Sequence, residues 1–400
     1  MPNLIFLGGV FVECQRDFIY NNSEGVIQNA AHALQVKIVS GLEEASGGGV
    51  NVVNLPFIGA YPFRFARPYF PGTRKSLGKR SFIYGFGFIN IFGIKHFARC
   101  VAAFYGLRQV GKCDRVDLVI YSAHVPFILA GLFYRLLNTK TRICLIIPDL
   151  PEYMGDGGWM YRLFKTVDTH IFRTCIRRID FFVVLTEQMI SRLRLPSSKS
   201  VVVEGIAVDS YSSESGSRDY LARRPRIVFY SGTLAKRYGI LDLLEAFQSD
   251  ELRLCELWIC GEGDSRKAVE ELAQVKSNVK YLGQLPHKRV LQIQTEATIL
   301  VNPRPPNGDY TKFSFPSKIL EYMTSGRPVV MYRLPGIPRE YNGFYIAPEG
   351  IGPAALRSCL MEVAQRDEGE LNELGKRARD FVLSEKSALI QAKKILSLFL

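Results

Sequence analysis

Residues 312–330 read KFSFPSKILEYMTSGRPVV, and the fold class turns on how that stretch is read. A loop leads into a helix whose first turn carries Ser317, Lys318 and Glu321. The closing SGRPVV reads as a helix stop followed by a buried strand. A helix start offers backbone N–H groups without intrahelical partners and a positive dipole end, which suits a diphosphate. Lys318 adds a mobile positive charge. Glu321, one turn further on, can accept two hydroxyl hydrogen bonds from a ribose. The residues alone leave an ordinary capped surface helix equally open.

Outward from this stretch, short apolar runs alternate with amphipathic segments, the pattern of parallel α/β units. Strands are expected at 4–7, 36–39, 118–121, 143–147 and 181–185, with helices at 23–34, 126–137 and 187–193. The second half repeats the alternation. Strands are expected at 227–230, 256–260, 279–282, 299–302 and 329–332, with helices at 240–247, 265–275, 288–294 and 318–324, and a largely helical end over 371–400. Between the halves, SYSSESGSRDYLARRP at 210–225 is rich in Ser and charge and has no apolar period, a linker signal. The expected architecture is two Rossmann-like α/β domains, 1–209 and 226–378, facing each other across a cleft. A C-terminal helix over 379–400 is expected to pack back toward the first domain. A chain of 400 residues is long enough for two such cores.

The net charge of +13 is uneven. Residues 1–209 hold 24 Lys and Arg against 15 Asp and Glu, and no acid lies between Ala45 and Cys113. Arg64, Arg67, Arg74, Lys75, Lys79, Arg80, Lys95, Arg99, Arg108 and Lys112 all fall in that interval. Such a stretch attracts anionic headgroups, pyrophosphate or nucleic acid, or is simply a solvated face. SFIYGFGFINIFGI at 81–94 lies within it and is too short to span a bilayer. It reads either as a segment dipping into a membrane surface or as a buried core helix. The N-terminal MPNLIFLGGVFVE lacks the basic start and long apolar run of a signal peptide. The eight cysteines are scattered with no CxxC pair, as in a reduced cytosolic protein. The five histidines show no spacing that suggests a metal site, and no nucleic-acid motif accompanies the basic stretch.

The 312–330 stretch closely resembles the donor-binding segment of the family-4 retaining glycosyltransferases, which have the GT-B fold. In that family a Glu-x7-Glu pattern sits in this loop and helix. The second Glu matches Glu321, which the resemblance implies holds the donor ribose, and the first falls on Phe313, a departure. FPSK before LEYM, which brings in Phe315, Pro316, Ser317 and Lys318, is similar to a subgroup of exopolysaccharide and capsule enzymes. SGTLAKRYGILDLLEAF from Ser231 resembles the strand, loop and helix that open the nucleotide domain. Thr233, after Gly232, and Tyr238 replace the two phosphate-binding cations of the family, and Lys236 and Arg237 stand nearby as substitutes. In ICGEGDSRKAVEEL, from Ile259, Gly261 and Gly263 would allow close approach to a ligand. Arg304, in NPRPPNGDYTKF, follows a strand end within reach of phosphates. In the first half Gly8 and Gly9 match the family's glycine-rich loop. Asp149, in PDLPEYM, follows a buried strand where relatives often carry His-Asp. Asp149 and Glu152 are candidates for acceptor contact or acid–base work, and His124, in YSAHVPF, lies at a strand-to-helix junction.

The resemblance implies a retaining, metal-independent transfer of a sugar from a UDP- or GDP-type nucleotide sugar, without a cofactor. Arg237, Lys318 and the helix start at Ser317 would stabilise the leaving diphosphate. The expected acceptor is a polyprenyl-diphosphate-linked saccharide. The basic stretch at 64–112 would hold the enzyme peripherally on the inner face of the cell membrane. Two other readings stand beside this one: a nucleotide-sugar epimerase of the same fold, and a catalytically silent subunit.

Overall fold

The computed structural model describes residues 3–25, 27–77, 81–150, 152, 159–211 and 225–400. Lys79, Arg80 and most of the 210–225 linker lie outside these residues. The chain divides into two compact units, Met1–Ile206 with Ala388–Leu400, and Ala207–Ser387. The last helix therefore belongs to the first unit.

In the first unit ten strands are described: β1 (Asn3–Gly8), β2 (Asn51–Asn54), β3 (Tyr69–Phe70), β4 (Thr73–Leu77), β5 (Ser81–Gly85), β6 (Phe88–Ile89), β7 (Val116–Tyr121), β8 (Arg142–Ile147), β9 (Phe181–Val184) and β10 (Ser200–Val202). Eight of them form one sheet in the order β10-β9-β8-β7-β1-β2-β5-β4. Every neighbouring pair is parallel except β4 and β5. β3 and β6 pair separately. β7 is buried at all its positions, as expected for a central parallel strand covered on both faces. β4 closes one edge with Arg74 and Lys75, charges that discourage pairing with another chain.

The helices of this unit are α1 (Glu13–Asn22), α2 (Asn29–Ser46), α3 (Lys95–Val110), α4 (Val125–Leu137), α5 (Trp159–Cys175) and α6 (Glu187–Leu193). The strand expected at 36–39 is instead the middle of α2. Gln35, Ile38, Val39 and Leu42 are buried there, at the three-and-four spacing of a helix face. The β-branched run at 36–39 suggested a strand, but burial of that face outweighs the local preference. The segment at 81–94 is not a helix. Its first half is β5, and its end leaves Phe92 and Ile94 exposed.

The second unit holds β11 (Arg226–Ser231), β12 (Cys255–Cys260), β13 (Val279–Tyr281), β14 (Ile299–Asn302) and β15 (Val329–Met331), an all-parallel sheet in the order β13-β12-β11-β14-β15. Its helices are α7 (Ile240–Gln248), α8 (Arg266–Val275), α9 (His287–Glu296), α10 (Lys318–Thr324), α11 (Pro353–Gln365) and α12 (Glu368–Glu385). One apolar core joins the sheet to these helices, with Phe229, Leu257, Ile259, Ile319 and Met323 fully enclosed. The final helix, α13 (Ala388–Ser397), packs on α2 in the first unit. Gly41 permits the contact, since a Cβ there would lie 2.2 Å from the Ala388 carbonyl oxygen.

Candidate functional site

In the second unit the loops after β11, β12 and β14 gather at the carboxyl ends of the strands, where open parallel sheets bind ligands. The first two loops are pressed together. A Cβ on Gly261, at φ +144, would stand 1.8 Å from the Gly232 carbonyl oxygen. One on Gly263 would stand 2.4 Å from that of Leu234. The Gly232 amide donates to the Cys260 carbonyl at 3.0 Å. The two glycines of GEG thus permit the approach of loop to loop.

Glu321 is the best-anchored polar group of this region. Its Oε1 accepts from Lys318 Nζ and from Gln294 Nε2, both at 2.7 Å. Gln294 is fully buried on α9, and its Oε1 accepts from the Tyr211 hydroxyl. The Tyr322 hydroxyl accepts from the Ser231 amide at 2.8 Å and donates to the Ser231 carbonyl at 3.1 Å, which ties α10 to the end of β11. Burial acts to raise the Glu321 carboxyl, but the Lys318 charge and the bonds from Lys318 and Gln294 outweigh it, so the group lies below the usual carboxylate range. Among the described residues its Oε2 faces only His287 Nε2, at 4.0 Å, and keeps acceptor capacity for a hydroxyl. α10 has only seven residues, and Ser317 makes no side-chain cap. Its dipole is short, so the helix start offers less to an anion than the sequence suggested.

Two guanidinium groups share the Tyr238 ring. Arg237 lies 5.0 Å and Arg304 5.5 Å from its centroid, and Arg304 also lies 4.8 Å from that of Tyr310. The loops meet at Gly239, where a Cβ would stand 2.0 Å from the Pro303 carbonyl oxygen. Arg304 is 8% exposed, and its Nη2 donates to Ser314 Oγ at 2.6 Å. Its buried Nε has no partner among the described residues. A desolvated cation with an unused donor is costly unless an anion completes it. Arg237, Lys236 and Thr233 are exposed on the same loop. Phe315 sits in the core, with its ring 5.5 Å from that of Tyr341, and Pro316 and Ser317 link it to α10.

The first unit has its own cavity, about 630 Å³, whose lining includes Glu24, Arg64, Tyr121, His124, Asp149 and Asp168. Burial raises the Asp149 carboxyl, and raises that of Asp168 to about 6. His124 Nε2 accepts from Arg99 Nε at 3.1 Å, which assigns the ring proton to Nδ1. Burial first, then the neighbouring Arg99, His96 and Lys95, hold this imidazole well below its ordinary range, so it is neutral. Arg99 itself is buried, donating to the Pro56 and Leu55 carbonyls at 2.6 and 2.9 Å. The rings of Phe57, Phe88 and Phe127 lie within 5.2 Å of its guanidinium.

Four first-half expectations change with these contacts. Arg99 is not a surface cation. Lys95 donates to the Ile58 carbonyl, and burial lowers its ammonium to about 7. Glu152 lies outside the Asp149 cavity and is ion-paired with Arg192 at 2.8 Å and Arg173 at 3.4 Å. The amides after the Gly8–Gly9 pair are taken within the domain: Gly9 donates to Gln35, Val10 to Asn54 and Phe11 to His32.

Sequence reasoning missed Gln294, Tyr211 and Asp168. Nothing local marks them, because each acquires its role from chain far away.

Residues 224–365 match the family model described as glycosyl transferases group 1. The chain carries a glycosyl transferase domain. Solved structures extend the likeness to the whole fold. The Anabaena protein HepE in complex with UDP aligns with a TM-score of 0.64 at 11% identity, covering 100% of this chain and 99% of that one. Sucrose-phosphate synthase from Thermosynechococcus elongatus aligns at 0.62 and 16% identity, covering 99% and 98%. The UDP-forming α,α-trehalose-phosphate synthase from Burkholderia xenovorans, in complex with glucose-6-phosphate, aligns at 0.65 and 11%, covering 99% and 100%. No curated protein sequence matches the chain. The protein is thus a glycosyltransferase of the GT-B type, as the 312–330 stretch led us to expect. No described helix of this glycosyltransferase is long and apolar enough to cross a membrane.

Proposed function

We propose that this glycosyltransferase moves a sugar from a nucleoside-diphosphate donor to a hydroxyl of a lipid-linked saccharide at an anionic membrane surface, in the synthesis of a surface polysaccharide. The observation that carries the donor half is the Glu321 network, in the same unit as the two ring-held guanidiniums. Glu321 Oε2 takes the ribose hydroxyls, and Arg304, Arg237 and Lys318 take the diphosphate. HepE was solved with UDP, and with UDP and glucose, which favours a uridine donor.

During transfer the bond between the anomeric carbon and the diphosphate oxygen breaks, and negative charge builds on that oxygen. The positive charges of Arg304, Arg237 and Lys318 offset it. The acceptor hydroxyl enters on the same face, in keeping with the resemblance to retaining enzymes. The acceptor saccharide is assigned to the Asp149–Asp168 cavity, whose carboxylates accept hydroxyl hydrogen bonds and whose neutral His124 acts through hydrogen bonding. Exposed Phe63, Phe92, Phe97 and Tyr105, with Arg64 and Arg67 in the same segment, support membrane contact.

Isothermal titration of the full chain with UDP and GDP, followed by sugar release from UDP- and GDP-sugars with and without a membrane extract, tests the donor half. Binding of neither nucleotide at millimolar concentration would overturn it. Sedimentation with phosphatidylglycerol vesicles tests the surface half. Equal partitioning of the wild type and a Phe92→Ser, Phe97→Ser variant would overturn that.

A further inference from the structure

A second cavity in the first unit, about 690 Å³, is lined among the described residues by five cations, Arg173, Arg177, Arg192, Arg194 and Lys199, against the one carboxylate of Glu152. It is distinct from the Asp149 cavity, yet both draw on α5: Asp168 lines one, and Phe172 and Arg173 line the other. Cations at helix C-termini commonly offset the dipole, and this accounts for Arg173 and Arg192 at the ends of α5 and α6. Those two also hold Glu152. It does not account for the remaining three. Arg177 and Lys199 stand on short 3-10 turns, and their side chains have no hydrogen-bond or ion-pair partner among the described residues. Arg194 caps α6 at φ 55 in the left-handed region, a position where Gly or Asn is the ordinary occupant. An arginine kept there against its backbone preference points to use of its side chain.

The floor beneath these cations is apolar. Phe172, Ile179, Phe182 and Leu195 line the cavity and are buried. A cationic rim over a greasy floor matches a molecule that carries both a phosphate and a hydrocarbon.

We propose that this cavity binds the phosphate or diphosphate of an amphiphile, with Arg177, Arg194 and Lys199 on the anion and the floor on the first carbons of its tail. Two sources share this chemistry: a polyprenyl diphosphate, such as a lipid-linked acceptor carries, and a phospholipid headgroup. Only the first rests on the acceptor reading above. The binding itself does not.

The test is protection of single arginines in the full chain from phenylglyoxal, read by peptide mass spectrometry. The probes are geranyl diphosphate, dihexanoyl phosphatidic acid below its micelle concentration, and inorganic pyrophosphate. The expected result is at least fivefold slower modification of Arg177 and Arg194 with one or both amphiphiles. Half-protection should come at a concentration at least tenfold below that of pyrophosphate, while exposed Arg339 in the other unit is unaffected. The tighter amphiphile identifies the source. Lys199→Gln should raise the half-protecting concentration at least threefold. Arg194→Gly, which suits the left-handed backbone, should do the same at Arg177 without loss of thermal stability. Lys318→Ala removes a proposed donor cation and should leave this protection intact, so failure of the donor reading is separable. No protection by either amphiphile, protection equal to that at Arg339, or pyrophosphate as effective as the amphiphiles would overturn the proposal.

Discussion

Glu321→Gln tests the proposed donor site most directly, because the substitution keeps shape and removes charge. Oε1 of the wild-type carboxylate accepts two donors at 2.7 Å, from Lys318 and Gln294, and Oε2 has no partner among the described residues closer than His287 at 4.0 Å. Hydrogen bonds to a charged group contribute about 1.5–3 kcal/mol, and neutral ones about 1 kcal/mol. Losing the charge therefore weakens nucleotide binding by about 1–2 kcal/mol, roughly five- to thirtyfold in Kd. With its oxygen kept on Lys318 and Gln294, the new amide presents an NH2 donor where Oε2 accepted, which adds to the loss. The effect on folding is smaller, because the Lys318 side chain is 32% exposed and its freed ammonium reaches water. The carboxyl lies below its ordinary range in the folded chain. It therefore adds stability above its unfolded value and loses that contribution as pH falls through the folded value. The Gln variant should lose less stability than wild type over that acid range. Titration calorimetry with the nucleotide that binds wild type, together with urea melts, gives both quantities. A folded Gln variant binding within twofold of wild type would refute the assignment of Glu321 to the ribose.

Three further outcomes are expected. Gly261→Ala places a Cβ 1.8 Å from the Gly232 carbonyl oxygen at φ +144, and should cost on the order of 3 kcal/mol or more in urea melts; an unchanged midpoint would contradict the loop packing. Tyr322→Phe strips the hydroxyl from the buried Ser231 amide and carbonyl, and should cost about 1–3 kcal/mol with a matching loss of nucleotide affinity. His96 is lowered to about 4, burial first and then Lys95 and Arg99, and His124 is held well below its ordinary range. Both stay neutral in the folded chain where the unfolded chain begins to take protons near pH 6.5, so stability should fall as pH drops from about 6.5 toward 4. A His96→Gln variant with the same pH dependence as wild type would show that this pair is not responsible.

The second unit was far more legible than the first. Strands at 299–302 and helices at 318–324 coincide with β14 and α10, because short parallel strands there are uniformly apolar and their helices are amphipathic. In the first unit α1 and β2 went unseen and α2 was split. α1 is polar along much of its length, β2 has only four residues, and the run at 36–39 carries strand-like residues on a helix. The site followed the same division. Lys318 and Glu321 lie one helical turn apart, so spacing alone brings them together, whereas Asp149 and Glu152, close in sequence, are drawn to different cavities.

By itself, then, the sequence determined the α/β alternation, the grouping of Lys318 with Glu321, and the supply of cations after β11 and β14. These depend on periodicity and on neighbours within a turn. Only the tertiary structure decided that Gln294 and Tyr211 hold Glu321, that Arg99 is buried against His124, and that Asp168 joins Asp149. Such pairings span long stretches of chain. They are set by which strands lie side by side and which helix faces are buried, and no local pattern of residues encodes that.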